Sequence, residues 1–299
     1  MFKRILLPLD GSKLAECVCS SAAYLCEKTD ASILLIHVIE KNAPNLVHGE
    51  HHLTGIREAE QYLDEIAQAY FPPQIRVEKH VHTDEVDNVA DSIAGHAGEY
   101  ASDLVIMAAH GKHGLHDWTV GNIAQQVIGH GKTPVLLLRP DSCGKPLAFN
   151  HILIALDGES EHETGLPLVA GLAKVLSADI LLCQVVPTLD TLTPKESASG
   201  KLLPGTTSVF LDIAEDEACR HLEDHAVELR AKGLEVKTCV ERGDPTARVV
   251  ETARDSDLIV LGTHGKAGIK AFWAGSVASK IIGQTRLPIL LIPVTRESD

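Results

Sequence analysis

Four stretches of the first half of this chain return, in the same order, in the second half. "FKRILLPLDGS" comes back as "FNHILIALDGES" and "ASILLIHVIE" as "ADILLCQVVP". "ASDLVIMAAHGKHG" returns as "DSDLIVLGTHGKAG" and "GKTPVLLLRP" as "TRLPILLIPV". Asp10 thereby matches Asp157, His110 matches His264, and Pro134 matches Pro288. A repeat of this length, in a chain of 299 residues, reads as two domains of one fold in tandem. The join falls in the Gly- and Pro-containing stretch "DSCGKPLAFN", giving expected domains at 1–143 and 148–299. So short a connector restricts how far the halves can separate.

Within each half, short runs of Ile, Leu and Val alternate with helical patterns. Ile5 to Leu9, Ile33 to Ile39, Leu104 to Met107 and Val135 to Leu138 are almost continuously apolar. That is the signature of parallel strands buried on both faces. Leu14 to Lys28 and Glu85 to Tyr100 read as helices between them. The expected fold class is α/β, with two open parallel five-stranded sheets and helices on both faces of each. Two longer excursions, "KNAPNLVHGEHHLTG" and "PTLDTLTPKESASGKLLPGTT", follow the second strand of their halves. Loops at matching positions are expected to be functional or flexible.

Composition narrows the function classes. A formal net charge of -14 argues against a nucleic-acid partner, which would need Lys and Arg to neutralise phosphates. No apolar run approaches the length of about 18 residues that a membrane span requires. At the start, Asp10 ends the apolar run that follows Lys3 and Arg4, and no small-residue cleavage site follows. The cytoplasm is therefore the expected location. Seven scattered cysteines without a CxxC spacing read as reduced, buried thiols.

The second half carries a glycine pattern: Gly262, two residues, Gly265, nine residues, Gly275 and Ser276. It begins where the strand "LIVL" ends and leads into the helical stretch "VASKIIGQT". Free backbone amides, a helix dipole and glycines that permit close approach make such a place suited to a phosphate. Ser276 could add a hydroxyl to the phosphate or cap its helix. Glycines at a strand end can also serve only as a tight β-to-α connection. Asp157 stands just past the half's first strand, where ligands of open α/β sheets sit, and could accept hydrogen bonds from a ribose or a base. A helix cap or a turn is its alternative role.

On these motifs the chain resembles the universal stress protein family, with two of the family's domains in one polypeptide. The resemblance spans essentially the whole chain, and the second half satisfies every position of the glycine pattern of the family's ATP-binding members. It implies ATP or AMP as the ligand, with Mg or Mn alongside, and a role in stress response or signalling. Ala155 and Asp157 would then contact the adenosine and the backbone at Val185 the adenine, while Thr263, His264 and Val277 line the loop around the phosphates with Gly262, Gly265, Gly275 and Ser276. It also implies strand order 3-2-1-4-5 and association of the two domains through their last strands, with further homodimerisation open.

The first half departs from the pattern. Ala108 stands at the first glycine position, and Gly121 is followed by Asn122 rather than Ser or Thr. The first site is expected to be weak, empty or adapted to another ligand, with Asp10 and Val38 keeping the pocket's shape. A different class of reading makes the protein a carrier or an interaction scaffold built as an internal pseudo-dimer. No Gly-x-Ser-x-Gly elbow and no complete Walker A motif occur, so no catalytic residue is assigned. Slow hydrolysis of ATP would have to rely on His264 or a metal-activated water.

Sixteen histidines raise a metal reading. His48, His51 and His52 lie in a loop stretch; His80 and His82 would share one strand face; His110, His113 and His116 are glycine-spaced; His221 and His225 are an i, i+4 pair. The last spacing puts two ligands on one helix face, without naming a third. Solvated surface is the alternative for each.

Overall fold

The computed structural model describes residues 2–44, 46–47, 49–109, 122–140, 149–192, 204–264 and 276–294. Its chain forms two compact units, one of Met1–Ala148, Thr263–Trp273 and Pro288–Asp299, the other of Phe149–Gly262 and Ala274–Leu287.

The first unit is built on β1 (Arg4–Pro8), β2 (Ser32–Glu40), β5 (Val77–Val86), β6 (Leu104–Ala108) and β7 (Val135–Leu138), with the short strands β3 (Leu46–Val47) and β4 (Glu50–His51) between β2 and β5. The five long strands are parallel and run in the order β5-β2-β1-β6-β7. Counted along the repeat, that is 3-2-1-4-5. Ile5, Leu6 and Leu7 stand opposite Ile33, Leu34 and Leu35, and all six are fully buried. Both faces of these strands are therefore covered, as their uninterrupted apolar runs require. A sixth strand, β12 (Ile289–Val294), comes from the end of the chain and pairs antiparallel with β7, Ile289 opposite Leu137 and Leu291 opposite Val135. The strands β3 and β4 form a separate antiparallel pair within the first excursion.

The second unit holds β8 (His151–Leu156), β9 (Asp179–Val186), β10 (Val236–Arg242) and β11 (Leu258–His264), parallel and in the order β10-β9-β8-β11. The same relative order thus appears in both repeats. Their turns match as well. Gly11 and Gly158, each just after the first strand, have φ of 90° and 82°. Asp30 and Ser177 end the helix that follows, each in the left-handed conformation, with φ of 57° and 56°. Both sequences thus place a short polar side chain where a helix must stop.

Helix boundaries follow local hydrogen bonding more closely than apolar periodicity. The expected helix over 14–28 is two helices, α1 (Lys13–Glu16) and α2 (Cys19–Thr29), with Ser12 capping the first through the amide of Ala15. After α3 (Ile56–Tyr70), the helix expected from Glu85 starts later, as α4 (Val89–Glu99). The side chain of Asn88 accepts from the amides of Ala90 and Asp91 and fixes that start, while Glu85 and Val86 remain in β5. The remaining helices are α5 (Asn122–His130), α6 (Leu166–Leu176), α7 (Pro204–Ala231), α8 (Pro245–Thr252) and α9 (Val277–Gln284). Among the described residues no helix is long and apolar enough to cross a membrane.

Cys19, Cys26 and Cys183 are free and buried, and burial pushes each thiol up to about 12, so they are inert packing groups. Cys219 is free and exposed. The free-thiol expectation fails at Cys17, which is disulfide-bonded.

Candidate functional site

At the carboxyl ends of β8, β9 and β11 the second unit opens into a cleft of about 230 Å³. Ala155 and Asp157 come from the end of β8, Val185 from β9, Gly262 from β11 and Val277 from the first turn of α9, and all five line it. Five of the ten residues expected from sequence are thus gathered in one concavity. Ser276 sits at the start of α9, where its hydroxyl accepts from the amide of Ser279 at 3.1 Å, so the capping role is realised. Thr263 is buried outside the cleft lining, and its hydroxyl reaches the carbonyl of Ile292 at 3.5 Å. His264 ends β11, while its side chain, Gly265 and Gly275 lie outside the described residues.

Asp157 takes the turn role. One carboxylate oxygen accepts from the amide of Glu159 at 3.1 Å, which closes the turn around Gly158. The other accepts from Nδ1–H of His162, which belongs to the 3-10 turn Ser160–Gly165. The Asp157 side chain is still half exposed, leaving lone pairs facing the cleft.

His162 also explains the first glycine of the pattern. A Cβ on Gly262 would lie 3.0 Å from Cβ of His162 and 3.2 Å from its carbonyl oxygen. Gly262 lies in a regular strand and is not among the positive-φ residues, so its requirement is space and not backbone conformation. Counting from the matched Asp10 and Asp157, the residue of the first repeat that corresponds to His162 is Ala15, and both line their clefts. The first repeat has Ala15 and Ala108 where the second has His162 and Gly262, and the atoms that crowd Gly262 are the Cα, Cβ and carbonyl oxygen of residue 162 rather than its imidazole. Neither pairing is visible from spacing alone, because the partners lie on different segments.

The first unit has its own cleft, lined by Asp10, Val38 and Ala108 together with Ala15, His37 and His52. Here Asp10 accepts from the amide and hydroxyl of Ser12, at 3.0 and 2.6 Å. The excursion after β2 folds over this end of the strands. Cγ of Leu53 lies 2.8 Å from where a Cβ on Gly11 would stand. Buried His37 bridges the carbonyls of Leu9 and Leu53, at 2.7 and 2.9 Å, and fastens the excursion to β1.

Two of the histidine groups converge. Glu163, His221 and His225 meet, with the carboxylate 2.6 Å from Nε2 of His221 and 3.1 Å from Nε2 of His225. Glu163 is the third member that spacing could not name. His80, His82 and His96 form the other group. Burial, and then the neighbouring imidazoles His96 and His82, hold His80 below the ordinary histidine value and favour its neutral form. His51 pairs instead with Glu58, and His52 with the carbonyl of Pro44. His48, His110, His113 and His116 lie outside the described residues.

Comparison with known proteins identifies the family. A universal stress protein of Mycolicibacterium smegmatis is 21% identical over 299 residues, covering 96% of each chain. One of Methanocaldococcus jannaschii is 26% identical over 156 residues, covering 48% of this chain and 94% of its own. Among solved structures, a universal stress protein from Archaeoglobus fulgidus aligns over 99% of this chain and 97% of its own, with a TM-score of 0.69 at 16% identity, a likeness of fold. The universal stress protein family model matches twice, over residues 1–139 and 148–293. The repeat read from the sequence is thus a repeat of a known domain, and the chain belongs to the universal stress protein family.

Proposed function

We propose that this protein is a nucleotide-binding universal stress protein acting in cytoplasmic stress response or signalling, with ATP or AMP, accompanied by Mg or Mn, held in the cleft of its second repeat. The observation that carries the reading is the convergence of Asp157, Val185, Gly262 and Val277 on one cleft at the strand ends, beside the capped start of α9. An apolar wall at Val185 and Val277 suits a base, and the half-exposed carboxylate of Asp157 suits the hydroxyls of a ribose. The first amides of α9 and the glycine pattern supply donors for phosphate oxygens. The role we propose is binding, with any effect arising from different affinity for two conformations.

The two repeats act as domains over 1–143 and 148–299 that pair internally, as the antiparallel ladder of β7 and β12 supports. That ladder covers strand edges that would otherwise invite association. The first repeat takes a second reading, because Leu53 and His37 hold an excursion over its cleft. It is an apolar-ligand or interaction module and not a second nucleotide site.

Native mass spectrometry of the purified protein, with denaturing extraction of small molecules, tests both statements. The expected result is one adenine nucleotide per chain. Two per chain would return the first cleft to nucleotide binding. A lipid or other metabolite with no nucleotide, together with no thermal shift on adding ATP, would move the whole protein to the carrier class.

A further inference from the structure

We propose that His80, His82 and His96 form a binding site for a zinc-class divalent ion, with three imidazole ligands and a fourth position open to solvent. His80 and His82 are two apart on β5 and share one face of the strand, and His96 reaches them from α4. Their ligand nitrogens all lie within 4.8 Å of one another. Nδ1 of His82 and Nε2 of His96 are 3.0 Å apart. Ring centroids of His80 and His82 stand 4.7 and 4.9 Å from that of His96. A tetrahedral ion with Zn–N bonds of about 2.0–2.1 Å separates its nitrogens by roughly 3.4 Å, so small side-chain rotations suffice.

The outer partners point the lone pairs inward. Oε2 of Glu99 lies 3.0 Å from Nδ1 of His96, so a proton on Nδ1 donates to the carboxylate and leaves Nε2 free to bind. The hydroxyl of Tyr100 lies 3.0 Å from Nδ1 of His80 and can accept its proton in the same way. Tyr100 is held in turn by Arg4, whose guanidinium donates to its carbonyl at 3.1 Å. A hydrogen-bond partner behind a ligating imidazole, present here at His96 and His80, is the usual support of a metal site. The remaining nitrogen of His80, Nε2, is buried with no hydrogen-bond partner. A buried nitrogen in that state is costly, and a bound cation would satisfy it.

Three imidazoles select zinc and its neighbours over magnesium or calcium, which take oxygen ligands. His82 and His96 border an open groove with Asn88 and Asp91, which gives a fourth ligand access from water. The group at Glu163 differs in its donor set, two imidazoles and a carboxylate instead of three imidazoles. The proposed site belongs to the first repeat and is independent of nucleotide in the second.

The test is titration of the chelator-stripped full chain with Zn²⁺ against a chromophoric competitor, and with Co²⁺ for its visible absorption. The wild type should take up one tight equivalent and show the intense bands of a tetrahedral site. His82→Ala and His96→Ala should each weaken binding by at least ~100-fold and abolish the bands. Glu99→Gln, which keeps all three ligands, should weaken it by about 10- to 100-fold. His221→Ala with His225→Ala should leave it unchanged. Far-UV circular dichroism checks that each variant is folded, and Glu99→Gln carries the test if a histidine variant is not. Absence of tight wild-type binding, binding unchanged in both histidine variants, or binding lost with His221 and His225 would each overturn the proposal.

Discussion

Replacing Gly262 by Val is expected to weaken ATP binding by about 5- to 150-fold while leaving the chain folded. Even the first carbon of the new side chain would lie 3.0 Å from Cβ of His162, 3.2 Å from its carbonyl oxygen and 3.4 Å from its Cα. Two of those atoms are backbone, so rotation of a side chain does not relieve the contact. Overpacking of this kind costs about 1–3 kcal/mol, and a tenfold affinity change corresponds to about 1.4 kcal/mol. If the turn carrying His162 moves away, Asp157 loses the imidazole that orients it, and the cleft loses its floor. A domain with stability of about 5–15 kcal/mol survives such a loss. Isothermal titration with ATP, with circular dichroism as the control for folding, reads the effect. Gly262→Val combined with His162→Ala keeps the Cα, Cβ and carbonyl oxygen that crowd position 262, so it should recover little of the affinity. Full affinity in the single variant would refute the assignment of this cleft.

The second large effect is expected at Asp157. In Asp157→Asn the side-chain carbonyl can still accept from the amide of Glu159 and keep the turn, as it does now at 3.1 Å. What is lost is the charge and one acceptor oxygen. Hydrogen bonds to charged groups contribute about 1.5–3 kcal/mol, so affinity for ATP and AMP should fall by roughly 10- to 150-fold. The side chain is half exposed, so the melting temperature should change little by comparison. Asp10→Asn in the first repeat should leave nucleotide affinity unaltered. An Asp157→Asn protein that binds like the wild type would confine that carboxylate to the turn.

Much of this was legible because the repeat supplies an internal comparison. The apolar runs became buried parallel strands, since a strand covered on both faces leaves no alternation to obscure it. Asp157, Val185, Gly262 and Val277 converge because strand ends in such a sheet share one side. Contacts between segments were not legible. Nothing in the spacing joins His162 to Gly262, or Glu163 to His221 and His225, because a turn and a distant strand or helix meet only when the chain is folded. The glycine at 262 was readable as a need for close approach, but its partner was not. Likewise the start of α4 is set by the side chain of Asn88, a local bond that apolar periodicity does not register. His80 and His82 could be placed on one face from a two-residue spacing, whereas His96 required knowledge of where α4 packs.

The second repeat, and not the first, is expected to hold the nucleotide. Photolabelling with 8-azido-ATP followed by peptide mapping tests it most directly, because the azide reports the residues against the base. Label is expected in peptides carrying Val185, Pro245 or Val249, which line the second cleft, and is lost when unmodified ATP competes. Competed label on peptides carrying Val38, Val89 or Ile93, which line the first cleft, would contradict it.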